Sequence, residues 1–378
     1  MKESARNPFI ITPYVPEEYF CDRVAETAEL CKHIANGRNV ALFAKRRLGK
    51  TGLIRHCFEQ KEIKERYNTF LIDIYSASSL KEMTLLVAKE IFSKSGVSGI
   101  REKLLNGLKS IRPNIEYNEL TASFSLGISG LSDIKYPDKT LEEIINSLDS
   151  LKKPTVIAID EFQRIRDFKE KNIEAYLRTL MQRCRNIIFI YTGSISHSMN
   201  NMFKSPDKPF YNSAIMMTIG VIKKDVYRNF ALDMFSRYKK TIHPDLIDKC
   251  YDYFGGGTWY VQLMMNEAFA QTSTGDELTI DDFDSVYNAI IAQQSFSYEE
   301  QFARFSEKQK ALLVAIANED PDGVKITSEE FLSKYRIGST SSVQTAGNAL
   351  KKGNILTDNG TKKQINDLIF RDWLRKYI

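Results

Sequence analysis

At 378 residues the chain is long enough for two or three domains with buried cores, and its 43% hydrophobic and 27% charged residues are those of an ordinary globular protein, not a disordered or collagen-like one. Its 53 Lys and Arg against 48 Asp and Glu give a net charge of +5, too small to mark a nucleic-acid binder by itself. No apolar run reaches the roughly 18 residues of a membrane helix, the start MKESARNPFIITPYVPEEY lacks a signal-peptide centre, and five scattered cysteines make no C-x-x-C pair, so a reduced, cytoplasmic chain with no membrane partner is expected.

In chain order, the first strong pattern is the apolar run NVALF (39–43), which enters AKRRLGKT and then a helical stretch. A second run, TFLIDI (69–74), precedes an amphipathic helix over 80–92. The irregular segment 94–139 carries alternating Leu120, Ala122, Phe124, Leu126 and Ile128, which predicts a half-buried strand or a hairpin at the sheet's edge. The third and fourth runs are TVIAI (155–159), ending in Asp160-Glu161 ahead of a helix over 173–184, and NIIFIY (186–191), ending in Thr192-Gly193-Ser194. A fifth is AIMMTI (214–219). Short apolar strands alternating with helices predict an α/β fold with a parallel sheet covered on both faces.

Beyond residue 220 the pattern is helical, over 224–238, 244–254, 258–271 and 280–293. Three further helices, over 306–317, 328–335 and 339–352, precede 354–357, an Asp358-Asn359-Gly360 turn, a returning apolar segment and a closing helix over 370–377. That order predicts a C-terminal winged helix-turn-helix, with the Asn-Gly pair supplying positive φ at the turn. The expected domains are thus an α/β core over 1–220, a helical lid over 221–298 and a winged helix over 299–378.

The loop Ala44-Lys45-Arg46-Arg47-Leu48-Gly49-Lys50-Thr51, followed by Gly52, fits G-x-x-x-x-G-K-[ST] except at Ala44. Between a strand and a helix, such a loop wraps nucleotide phosphates with backbone N–H groups, while the helix N-terminus faces the same anion. Lys50 would reach the β- and γ-phosphates and Thr51 would ligate Mg²⁺. Ala44 is a departure, because the first position is expected to need positive φ. At the carboxyl edge of the sheet, Asp160 is expected to hold Mg²⁺, and Glu161 to polarise the attacking water. Thr192 would sense the γ-phosphate or the water; helix capping is the alternative role. The four histidines form no triad or metal pattern.

These blocks, in this order, resemble the P-loop ATPases of the AAA+ and STAND type, specifically the prokaryotic archaeal-type ATPases, which are similar to archaeal origin-initiator proteins. The resemblance rests on Phe20-Cys21-Asp22-Arg23, A-K-R-R-L-G-K-T, I-A-I-D-E-F-Q, Y-T-G-S, F-G-G-G-T-W-Y (254–260) and I-N-D-L-I-F-R-D-W-L. It implies ATP or ADP with Mg²⁺ as cofactors, Phe20 and Arg23 beside the adenine, and a catalytic Asp-Glu pair. Thr258 stands where relatives tend to have proline, and no arginine lies near Ser213. The expected activity is slow, nucleotide-switched ATP hydrolysis. The alternatives are an ATP-regulated protein that binds DNA weakly through residues 338–365, or one whose winged helix docks a protein partner. Residues 301–378 carry 13 Lys and Arg against 9 Asp and Glu, a modest excess. Oligomeric state is not encoded in any of these patterns.

Overall fold

Strand pairing explains where the loop 44–51 comes to lie. The computed structural model describes residues 7–11, 15–94, 115–118, 123–126, 134–194, 197–319 and 322–378. These fall into two compact units, one of Ile10–Phe230 with Gly256–Tyr260 and one of Met1–Phe9, Ala231–Gly255 and Val261–Ile378.

The first unit contains strands β1 (Val40–Ala44), β2 (Asn68–Asp73), β3 (Ile115–Asn118), β4 (Ser123–Leu126), β5 (Thr155–Asp160), β6 (Ile187–Ser194) and β7 (Ile215–Thr218). Five of them form one sheet in the order β2-β5-β6-β1-β7, with every neighbouring pair parallel. Alternate residues feed two core layers. Ala41 and Phe43 of β1 and Ile157 and Ile159 of β5 pack on one face, with helices Leu80–Lys94, Pro137–Asp149 and Ile173–Gln182. Val40, Leu42, Ala44, Val156 and Ala158 pack on the other, with helices Val24–Ala35 and Lys50–Glu59. This is the doubly covered parallel sheet that the apolar runs predict.

One expectation about this unit is corrected. Strands β3 and β4 do form an antiparallel pair, but among the described residues they pair only with each other as a separate two-stranded sheet and do not extend the edge of the main one. Leu120, Ala122 and Ile128 lie outside the described residues. Helices Val24–Ala35 and Pro137–Asp149 are not among the expected elements, although the second buries Leu141, Ile144, Ile145 and Leu148 at helical spacing.

The second unit holds a short parallel pair, β8 (Thr241–Ile242) with β9 (Glu277–Leu278), among helices Pro244–Tyr253 and Phe283–Ala303. The expected winged helix follows: helices Glu307–Ala317, Glu329–Tyr335 and Thr340–Lys352, then hairpin β10 (Leu356–Asn359) and β11 (Lys362–Ile365), and a last helix Leu368–Tyr377. Ser306, Ser328, Ser339 and Asp367 each cap the N-terminus of the helix they precede, which is why these helices begin where they do. The hairpin turn differs from the expected one. Asn359 ends β10, and of the Asn-Gly pair only Gly360 has positive φ, at 61°, so Gly360-Thr361 is the two-residue loop.

Helices Pro244–Tyr253, Phe283–Ala303 and Leu368–Tyr377 share one buried polar centre. Asp372 accepts from Tyr253 at 2.9 Å, Tyr287 at 2.5 Å and Arg371 at 2.8 Å, with Arg371 and Asp372 both buried. Burial, and after it the Asp372 charge, push the Tyr287 hydroxyl well above its ordinary pKa. A raised folded pKa leaves this contribution intact below the unfolded tyrosine value of about 10 and removes it as pH climbs past that value. Tyr287→Phe should therefore cost about 1–3 kcal/mol at pH 7, because it leaves a buried carboxylate short of a donor. It should also flatten the loss of stability between about pH 9 and 11 that wild type shows in denaturant titrations.

Candidate functional site

The P-loop takes its shape from two positive-φ residues and two gripped carbonyls. Arg47 has φ 66° and Gly49 φ 86°. No atom lies within 4 Å of a Cβ built on Gly49, so glycine is needed there for its backbone angle and not for space. Ala44 is fully buried at the end of β1 and has no positive φ, which removes the objection to a side chain at that position. The Arg47 carbonyl accepts the Trp259 N–H at 3.0 Å, and the Leu48 carbonyl accepts Arg23 Nη2 at 3.2 Å. In a trans peptide the N–H points opposite to the C=O. Fixing these two carbonyls therefore turns the Leu48 and Gly49 N–H groups the other way, the arrangement of an anion-binding nest.

Lys50, the first residue of helix Lys50–Glu59, is buried, and Thr51 follows it. Because β6 lies between β1 and β5, the Thr192 end of β6 and the Asp160 end of β5 are adjacent. Asp160 receives the Thr51 hydroxyl at 2.7 Å on Oδ2, and on Oδ1 the Thr192 hydroxyl and the Glu161 N–H, the latter at 3.0 Å. The structure thus brings Thr51, Asp160, Glu161 and Thr192 to one point. Thr192 is wholly buried and bonded to a carboxylate, so helix capping is not its role.

Glu161 has left-handed φ of 56°, and Phe162 beside it is fully buried. Gln163 Nε2 donates to Glu161 Oε2 at 2.5 Å. A Cβ on Gly193 would collide with Gln163 Oε1 and come within 2.9 Å of Met199 Cγ, so glycine at this position leaves room for the amide that holds Glu161. Gln163 is absent from the sequence reading, as is Asp73, which ends β2 in register with Asp160. Desolvation first, with the Asp160 charge assisting and the Tyr75 N–H opposing, holds the Asp73 carboxyl above its usual range. The repeat Leu-Ile-Asp, Ala-Ile-Asp at two strand ends is the signal that could have found it.

The remaining expected residues are placed as follows. Phe20 lies flat on His56, with ring centres 4.0 Å apart and an 8° interplanar angle, and it comes within 3.8 Å of a Cβ built on Gly52. Burial lowers the His56 pKa, with Glu17 opposing. Arg23 is buried and also donates to Gly220 O and Glu26, at 2.7 Å each, so it clamps the loop from outside. The Arg47 guanidinium lies 3.8 Å over the Trp259 ring. Lys45 and Arg46 sit on the exposed and half-buried side of the loop.

Magnesium fits this oxygen set. A threonine hydroxyl that gives its proton to Asp160 keeps a lone pair for a hard cation. Among the described residues no three His, Cys, Asp or Glu converge as a metal cluster, so phosphate oxygens and water would complete the shell.

Residues 20–264 match the family described as an ATPase domain predominantly from Archaea, and residues 296–376 match a probable winged helix domain. The structure is similar to a Walker-type ATPase of Pyrococcus abyssi, at 18% identity and TM-score 0.64 over 97% of this chain and 99% of that one. It is also similar to the Aeropyrum pernix ORC1 protein in complex with DNA, at 11% identity and TM-score 0.56 over 98% and 97%. A third likeness is to the ORC2 protein of the same organism in its ADPNP and ADP complexes, at 12% identity and TM-score 0.51 over 98% of each chain. At these identities the likeness is one of fold. The comparison with curated proteins gives no match. Among the described residues no helix is long and apolar enough to cross a membrane.

Thr192→Val keeps the shape and removes one donor from a buried carboxylate. It should cost about 1–3 kcal/mol in urea unfolding. A variant as stable as wild type would show that Asp160 is satisfied without it.

Proposed function

The chain belongs to the family of ATPase domains found predominantly in Archaea, and on that premise we propose that it binds Mg²⁺·ATP at the carboxyl edge of its sheet and hydrolyses it slowly, as a nucleotide-dependent switch. The observation that carries this reading is the Asp160 carboxylate, which joins the P-loop helix through Thr51 and β6 through Thr192, with Glu161 next in the chain. The Leu48 and Gly49 N–H groups and the helix N-terminus would bind the phosphates, and the Lys50 ammonium would lie against the β- and γ-oxygens. Thr51 and Asp160 would hold Mg²⁺, which supplies charge neutralisation when bound. Phe20 would flank the base, with Arg23 acting on it indirectly by fixing the loop. Glu161, positioned by Gln163, would take a proton from water as the water oxygen attacks the γ-phosphorus. The bond to the bridging oxygen then breaks, leaving ADP and phosphate, and Thr192 would report which is present. The Arg47 stack on Trp259 supports the switch, since it joins the P-loop to the glycine-rich block at 254–260.

Lys50→Ala should weaken ATP binding at least about tenfold by calorimetry, because it removes a charge-assisted contact. Glu161→Gln should keep ATP affinity and lose turnover, since its role falls in the transition state. If wild type released no phosphate above background while binding ATP, the hydrolytic part of the proposal would fail and the binding part would stand.

A second reading, weak DNA binding by the winged helix, is favoured by one observation. Gln344 and Asn348 lie one helical turn apart on the exposed face of helix Thr340–Lys352, near the exposed Lys352. The charge is smaller than the lysine count implies, because Lys351 and Lys363 both bond Asp358. Desolvation opposes the two lysines, yet together they hold the Asp358 carboxyl below its usual range. Asp358→Asn should therefore tighten binding to random-sequence duplex and steepen the salt dependence by up to about one unit in log K against log salt. Equal slopes for variant and wild type would remove this surface from the DNA reading.

A further inference from the structure

Opposite the edge just described, the strands of the main sheet begin around a cavity of about 460 Å³. Asn39 before β1, Tyr67 before β2, Pro154 before β5, Asn186 before β6 and Ser213 before β7 all line it. Strands of five or six residues at about 3.3 Å each put roughly 15–20 Å of sheet between this cavity and the P-loop edge, so no group on one can reach the other. The size is that of a small-molecule site.

Its charge is one-sided. Arg178 and Arg185 line it, and no Asp or Glu does. Asp149, which precedes Arg185 and Asn186 in the chain and is not part of the lining, is engaged by their N–H groups at 2.9 and 2.7 Å. Arg178, on helix Ile173–Gln182, has a buried Nε with no hydrogen-bond partner, and no carboxylate or carbonyl takes its guanidinium among the described residues. Buried donors left unpaired are rare, and a cationic one is costly, so an orphaned guanidinium nitrogen beside a polar cavity calls for an acceptor. Asn39 accepts the Phe189 N–H at 2.9 Å on its side-chain oxygen, which leaves its amide nitrogen as a second donor at the same cavity. On the cavity wall the buried Tyr191 hydroxyl donates to Met181 Sδ at 3.4 Å. Burial pushes Tyr191 up, with the Arg178 charge opposing.

We propose that this cavity is a second ligand site, separate from the nucleotide edge, which takes the phosphate or carboxylate group of a small anionic metabolite on the Arg178 guanidinium, with Asn39 as an auxiliary donor. The paired Nη nitrogens of a planar guanidinium suit two oxygens of one oxyanion, and no acid among the cavity's lining residues repels it. Neither the proposed ATP chemistry nor the winged helix uses any of these groups.

The test titrates inorganic phosphate, and separately citrate, into the full-length Lys50→Ala chain by calorimetry, so that the P-loop does not supply the signal. One saturable site with a Kd below about 1 mM is expected for at least one of the two probes. Phosphate alone would identify a phosphorylated ligand, and citrate alone a carboxylate. Adding Arg178→Gln should weaken that binding at least about tenfold, with Arg178→Lys between the two because it keeps charge and loses the fork. Thermal melts check that both variants fold, and Arg178→Lys keeps the comparison open if Arg178→Gln does not. No binding of either anion to the Lys50→Ala chain, or binding that a folded Arg178 variant leaves unchanged, would overturn the proposal and make the cavity a water-filled one.

Discussion

A carboxylate that is almost wholly buried must be given donors, and at Asp160 the fold gives it three from three different places. The Thr51 hydroxyl comes from the helix after β1, the Thr192 hydroxyl from β6, and the Glu161 N–H from the next residue. That is feasible only if the strand carrying Thr192 lies between β1 and β5, as it does in this sheet. Glu161 itself takes a left-handed backbone conformation, which costs a non-glycine residue about 1–3 kcal/mol. Phe162, fully buried among Tyr191, Phe203 and Phe210, offsets that by a similar amount. Strain at the acidic turn is thus held in place by the aromatic cluster beneath it.

The same logic governs the P-loop, whose conformation is imposed from outside. Arg23 and Trp259 are far apart in sequence, yet each takes one carbonyl of the loop, so the inward direction of the N–H groups is set before any anion arrives. Arg23 itself has φ of 64°, and Asp22 before it 58°, so the segment leading into helix Val24–Ala35 is bent twice to bring the guanidinium in. A loop preorganised in this way would bind the proposed phosphate without first losing much of its own freedom.

What the sequence made legible is what depends on neighbours in the chain. Apolar runs of five or six residues marked the strands, the G-K-T spacing marked the P-loop, and Ile-Asp-Glu marked the acidic strand end. What it hid depends on neighbours in space. Phe20 stacking on His56 and the room that Gly193 leaves for the Gln163 amide join residues from different strands and turns. The hairpin of β3 and β4 was visible as alternation, but alternation says nothing about which strand a strand will pair with. Ala44 shows the reverse failure, in which a motif rule assigned positive φ to a position that the structure leaves in the strand, moving the left-handed angles to Arg47 and Gly49.

Charge shows the same limit most plainly. Counting residues over 301–378 gives an excess of basic groups, but the fold decides where each one acts. Lys351 and Lys363 share Asp358, Lys334 pairs with Glu319, Lys310 with Glu307, and Arg371 is buried against Asp372. The exposed pairs among these add little to stability, yet each cancels most of its own field within a Debye length of about 8–10 Å. On the wing and the third helix, the lysines without a carboxylate partner among the described residues are Lys352 and Lys362. Two lysines can supply attraction to any polyanion, whereas discrimination would have to come from the uncharged Gln344 and Asn348 beside them.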